Sequence, residues 1–168
     1  MTAFLDEIES HIPALRRYAR ALTRNRDQAD DLVQDCLERA IAKKRLWQPT
    51  GSLKAWLFRI LLNLFRNELR RDRVAPATSL DDLTIEPATP AAQTGRVALA
   101  EVARAMEKLP GEQREALLLV VLEGMSYAEA AHVLEIPQGT LMSRLSRARA
   151  TLKHLTGEGD EPRLRTVK

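Results

Sequence analysis

Apolar residues recur at intervals of three and four through most of this chain, the spacing that lines one face of a helix. No stretch shows the period-two alternation or the Asn-Gly turns of a sheet, so the fold class is all-α. The period predicts helices over about 4–23, 27–44 and 52–71, then over 96–108, 111–123, 126–134 and 137–155. Between the two sets lies DRVAPATSLDDLTIEPATPAAQTG, which holds Pro76, Pro87 and Pro90 and has no helical period. A connection longer than about 20 residues is uncommon inside one compact domain. The pattern therefore predicts two small helical domains, residues 1–71 and 96–156, joined by a flexible linker at 72–95 and followed by a tail at 157–168. Each domain, at about 70 residues, is near the lower limit for a self-sufficient core.

The sharpest local pattern lies in the second domain. Ser126-Tyr127-Ala128-Glu129 has the form of a capping box, in which the serine hydroxyl accepts from the Glu129 amide and the Glu129 carboxylate reaches back to the Ser126 amide. The short Ala-rich helix it starts ends near Glu135-Ile136-Pro137, and Pro137 suits the first turn of a second helix. Together they form a helix-turn-helix. On a wheel of 100° per residue, Leu141, Leu145, Ala148 and Leu152 fall within about 60° of one another and face the core. Ser143, Ser146 and Arg147 point the opposite way, and Arg144 and Arg149 flank them. That arrangement suits a recognition helix in a major groove, with Arg147 able to pair bidentately with guanine while Arg144 and Arg149 meet phosphates. A solvated face with incidental arginines is the plainer alternative.

Composition narrows the partners. The chain has 168 residues, 26 Lys+Arg against 23 Asp+Glu, and one cysteine. Cys36 alone excludes an internal disulfide, and with only three histidines a closed zinc site is not expected. No apolar run approaches the roughly 20 residues that span a bilayer, and the acidic N-terminus is unlike a secretory signal. A cytoplasmic location without membrane insertion is the expectation. The net charge of +3 conceals local elements: residues 1–71 hold 14 bases and 9 acids, and residues 140–155 hold Arg144, Arg147, Arg149 and Lys153 with no acid. Concentrated positive charge is the usual footprint of a phosphate-backbone partner.

Two faces of the first domain carry opposite charge. On the helix from Asp27, Leu32, Val33, Cys36, Leu37 and Ala40 form the apolar stripe and Asp31, Gln34, Asp35 and Glu38 the opposite face. Acids early in a helix also compensate its dipole, so the patch by itself names no partner. On the helix from Ser52, Arg59, Asn63, Arg66 and Arg70 recur at i, i+4, i+7 and i+11, one face that can track a phosphate backbone. A loop at Leu46-Trp47-Gln48-Pro49-Thr50-Gly51-Ser52 precedes it. Trp47 suits stacking on a base or packing, and Trp56, among Leu53, Leu57 and Ile60, reads as core.

The run LPGEQREALLLVVLEGMSYAEAAHVLEIPQGTLMSRLSRARATL, residues 109–152, closely resembles the −35 recognition domain of bacterial extracytoplasmic function (ECF, group IV) RNA polymerase sigma factors. Asp27-Gln28-Ala29-Asp30-Asp31-Leu32-Val33-Gln34-Asp35 and Trp56-Leu57-Phe58-Arg59-Ile60-Leu61-Leu62-Asn63 look like the signature stretches of the same family's other domain. The resemblance covers nearly the whole chain apart from the linker and the last dozen residues. It implies that Ser143, Ser146 and Arg147 read −35 bases while Thr140, Arg144, Arg149 and Lys153 hold DNA phosphates. It implies that Trp47, Gln48, Thr50, Arg59, Asn63, Arg66 and Arg70 serve the −10 element and its melting. Asp31, Gln34, Asp35 and Glu38 would dock on the clamp coiled coil of the β′ subunit of core RNA polymerase, with further contact to the β subunit. An anti-sigma factor is an expected partner, and no cofactor, metal or catalytic residue is expected. The linker acids Asp81, Asp82 and Glu86 would thread toward the RNA path inside polymerase.

Two other classes compete. A conventional repressor or activator would use the same helix-turn-helix at paired half-sites without polymerase. A helical enzyme with a metal held by Asp30, Asp31, Asp35 and Glu38 lacks the Glu-x-x-His ligand pairs of helical di-metal sites.

Overall fold

The computed structural model describes residues 2–48, 51–74 and 93–157. Helix α1 spans Thr2–Thr23, α2 Arg26–Ala42 and α3 Leu53–Val74, with a 3-10 turn at Lys44–Leu46. In the second half α4 spans Gln93–Lys108, α5 Gly111–Leu117, α6 Tyr127–Leu134 and α7 Gln138–Thr156. No strand occurs among the described residues, and none of their helices is long and apolar enough to cross a membrane. Helix α3 reaches Val74 and α4 begins at Gln93, so helix runs into both ends of the stretch read as linker. Its acids Asp81, Asp82 and Glu86, and the tail beyond Gly157, lie outside the described residues.

Local chemistry accounts for most boundaries. Asn25 caps α2, its side chain accepting from the Gln28 amide at 3.1 Å, and thereby satisfies one of the amides orphaned at a helix start. The capping box of α6 is present, with Glu129 N donating to Ser126 Oγ at 3.1 Å and Ser126 N to Glu129 Oε2 at 3.3 Å. Ser126→Ala should lower stability by about 1 kcal/mol, read as a lower urea midpoint at unchanged slope. The three-residue turn to α7 turns on Glu135, a non-glycine residue at φ +56°, where Ile136 N reaches Ala131 O at 3.1 Å. Arg114 closes the end of α4 by donating to the carbonyls of Met106, Glu107 and Leu109 at 3.0–3.2 Å, a cationic cap for carbonyls that have no partner within the helix.

The helix expected over 111–123 changes character partway. Beyond Leu117 the chain widens into a π turn at Leu118–Leu122, where Glu123 N bonds Leu118 O at 3.1 Å, and Gly124 at φ +63° ends it. Contacts from the first half hold that end: Lys54 Nζ donates to the Glu123 carbonyl at 3.0 Å and Arg17 grips the Glu123 carboxylate. Tertiary bonds of this kind are invisible to a helical wheel.

The two halves do not stand apart. Helix α3 lies against α6, α1 lies against the π turn, and one contiguous apolar cluster runs from Ile8 to Ala148 through both domains. Its largest fully buried side chains include Tyr18, Phe58, Leu61, Leu119 and Leu145. The two halves, each near the size limit for an independent core, share this apolar surface, which raises the fraction each buries. Cys36 lies in that core, its thiol near Leu57 O at 3.4 Å and pushed up to about 12 by burial, so it is a packing residue rather than a reactive thiolate.

Candidate nucleic-acid interface

Helix α7 presents its faces as the wheel requires. Leu141, Leu145 and Ala148 are buried with at most 1% exposed, while Ser143, Ser146, Arg147, Arg149 and Lys153 face solvent. Thr140 is exposed at the helix start. Arg144 differs: its side chain is 18% exposed and its guanidinium lies 3.6 Å from Glu112. It shares with Thr140, Ser143 and Arg147 a polar cleft of about 320 Å³ whose far wall is Pro110, Glu112 and Gln113. Gln113 Oε1 is buried there without a hydrogen-bond partner. The wheel of α7 could not show this wall, because α5 contributes it from some thirty residues earlier in the chain; only the packing of α5 on α7 brings it there.

The acidic face of α2 is also as expected. Asp31, Gln34, Asp35 and Glu38 are exposed, and Gln34 donates to Glu38 at 3.2 Å. The fold enlarges the patch with Glu68 from α3. Partial burial and then the Asp35 charge hold the Glu68 carboxyl above its ordinary value, with Asp72 and Asp31 adding to the repulsion and Arg71 opposing it. A raised carboxyl favours the protonated form in the folded state, so ionised Glu68 costs stability at neutral pH and nothing once both states are protonated. Glu68→Gln should therefore raise the melting temperature slightly at pH 7. The gain should vanish below pH 4.5, its ordinary value, and a gain persisting there in thermal melts would contradict this origin.

The basic stripe on α3 departs from the expectation of one open face. Asn63 and Arg70 are exposed, but Arg59 is paired with Glu135 of the helix-turn-helix turn. Arg66 holds Glu115 bidentately, through Nε at 3.3 Å and Nη2 at 2.7 Å. The reason is the packing of α3 on the second domain, which brings carboxylates from residues 49 and 76 positions away. Gln48 is exposed, and Thr50 lies outside the described residues. Trp47 is half-buried and packs on Trp56, ring centroids 5.6 Å apart, so of its two readings the packing one describes its present contact. No cluster of metal-ligating side chains occurs among the described residues.

Comparison with known proteins agrees with this arrangement. Residues 8–62 match the family described as the Sigma2 domain of PhyR, and residues 99–152 match Sigma-70, region 4. The chain is 42% identical over 154 residues to the ECF RNA polymerase sigma factor EcfG of Rhodopseudomonas palustris, covering 89% of this chain and 83% of that protein. Among solved structures it resembles the sigma factor RpoE of Bartonella quintana, in complex with the anti-sigma factor NepR, at a TM-score of 0.80 and 37% identity over 94% of this chain and 98% of that one. CnrH in complex with the cytosolic domain of CnrY follows at a TM-score of 0.69 and 31% identity, covering 95% and 90%. With a region-two half, a region-four half whose helix α7 turns basic residues outward, and these relatives along nearly its whole length, the chain belongs to the ECF RNA polymerase sigma factors, which serve promoter-specific initiation of transcription.

Proposed function

We propose that this protein binds core RNA polymerase, bridges the −35 and −10 elements of its promoters and nucleates strand separation there. The observation that carries the reading is the outer face of α7: exposed Ser143, Ser146 and Arg147 between basic flanks, backed by a buried apolar stripe. Outward side chains of these types reach base edges in a major groove. Thr140, Arg144, Arg149 and Lys153 then take phosphates, which fix position and supply the salt-dependent affinity. Trp47, Gln48, Thr50, Arg59, Asn63, Arg66 and Arg70 serve the −10 element, where an unstacked base is held at a cost repaid by contacts to it.

Asp31, Gln34, Asp35 and Glu38 form the docking face for a basic surface of polymerase, the clamp coiled coil of β′. Glu68 belongs to that face, since a basic partner would relieve its repulsion from Asp35. The chemistry of RNA synthesis stays with polymerase, and the protein acts in the cytoplasm. An anti-sigma factor regulates it, a role supported by relatives solved with such partners.

Run-off transcription with purified core polymerase, with and without this protein, tests the reading on a panel of promoters. Specific start sites should appear only in its presence. If no start is directed and the protein does not co-purify with β′, the sigma reading falls. Specific binding of the free protein to paired half-sites, without polymerase, would favour a conventional repressor or activator instead.

A further inference from the structure

The short turn before α3 holds an apolar side chain out in water. Leu46 is 69% exposed, the most open large apolar residue described in the first half apart from Val74 at the end of α3. Lys43 and Arg45 beside it are exposed as well, so the leucine projects from a cationic turn. A single exposed leucine is ordinary on a protein surface. What sets Leu46 apart is how firmly the backbone beneath it is held. Leu46 N donates to Lys43 O at 2.8 Å and Trp47 N to Lys44 O at 3.0 Å. The Trp47 ring then packs on Trp56 of α3, and Gly51 lies against the same ring, where a Cβ would stand 3.8 Å from Trp47 Cζ3. The aromatic ring of this loop is committed to the fold, and the residue before it is turned outward.

Trp56 stands one helical turn before Arg59, so its contact with Trp47 sets the turn at the end of α3 where the basic stripe begins. Beside a duplex, an exposed leucine has a specific use: apolar side chains of this kind enter between base steps and partly unstack them. We propose that Leu46 is a wedge that enters the base stack at the first step of the −10 element to open, with Lys43 and Arg45 on the flanking phosphates. Trp47 serves the same event as the anchor of the turn. Because the turn is already fixed by its two backbone bonds and that ring, little order has to be imposed on binding. Burial of the leucine between bases offsets part of the cost of unstacking them. The inference rests on the promoter reading and names the residue with which strand separation starts.

The test uses the full chain with core RNA polymerase and two forms of one promoter, the one that gives the strongest run-off product. One form is the duplex; the other is mismatched through the −10 element, so that those bases are already unpaired. Leu46→Ala and Leu46→Met are compared with the wild-type protein. Permanganate reactivity of unpaired thymines follows opening in time, and co-migration with core follows assembly. On the duplex Leu46→Ala should open about tenfold more slowly, the factor that corresponds to the low end of what burial of a leucine side chain is worth. Leu46→Met keeps an apolar side chain of similar volume and should retain most of the rate. On the mismatched promoter all three proteins should behave alike. The melting temperature of the free protein should not change, since the side chain is mostly in water.

A defect on the duplex that unpairing restores is the outcome a wedge requires. Opening by Leu46→Ala at the wild-type rate overturns the proposal. So does a defect that the mismatched promoter leaves in place, or weaker assembly with core, which would make Leu46 a contact to polymerase. The promoter reading is scored on the wild-type protein alone. If wild type directs specific starts and Leu46→Ala does so equally well, only the wedge falls. If wild type directs no start on any duplex, the promoter reading falls and the wedge with it.

Discussion

Truncating Phe58 to alanine should cost about 3 to 5 kcal/mol, the usual loss for a fully buried aromatic ring. Phe58 is entirely inaccessible to solvent and meets Tyr18 edge-on, ring centroids 5.2 Å apart at 60°. Lys54 Nζ lies 5.9 Å from the centre of the same ring on its way to the Glu123 carbonyl. The ring therefore supports two of the bonds that join the domains: that of Lys54, and that of Tyr18 to the Glu115 carbonyl. A loss of this size is a large share of the roughly 5 to 15 kcal/mol that stabilises a typical native protein. Urea denaturation should show the midpoint falling at constant slope, and the surviving folded molecules should scatter as a more open particle. A loss below about 1 kcal/mol would mean that the site collapses around the missing ring and that Phe58 is not the support described.

Arg147→Ala should make polymerase carrying this protein nearly indifferent to one base pair of the −35 element. The expected loss of discrimination is about 1 to 3 kcal/mol at that position, with the other positions unchanged. The exposed guanidinium of Arg147 stands beside Ser143 on the face opposite the buried Leu145. Arg144→Ala serves as the contrast. Its guanidinium is tucked into the cleft beside Glu112, and the proposed role for it is a phosphate contact rather than a base contact. Its removal should weaken all promoters alike and lower the salt slope by about one. Promoter-variant panels at two or more salt concentrations separate the outcomes. Equal, sequence-independent losses from both substitutions would overturn the assignment of roles.

The helices and their faces were readable because each depends on neighbours three or four positions away. Leu141, Leu145 and Ala148 are buried as their spacing requires, and so are Leu32, Val33, Cys36 and Ala40 on α2. The capping box at Ser126 and Glu129 needs only four consecutive residues, and it formed. The π turn at Leu118–Leu122 was not readable, because it ends at a residue held by Arg17 and Lys54 from the other half of the chain. Pro110, Glu112 and Gln113 were missed for the same reason: they meet α7 through packing and share no periodic pattern with it.

What the amino-acid order determined by itself is therefore local and compositional: an all-α chain, the basic outer face of α7 with its apolar back, an acidic face on α2, a basic stripe on α3 and, through those stretches, the family. The tertiary structure alone decided where the charges of those faces go. Arg59 and Arg66 belong to a basic stripe in the sequence and to ion pairs in the fold. The physical reason is that helical period specifies which side chains share a face. Which face meets which depends on contacts between residues 49 to 106 positions apart, such as Arg66 with Glu115 and Arg17 with Glu123, and no local spacing encodes them.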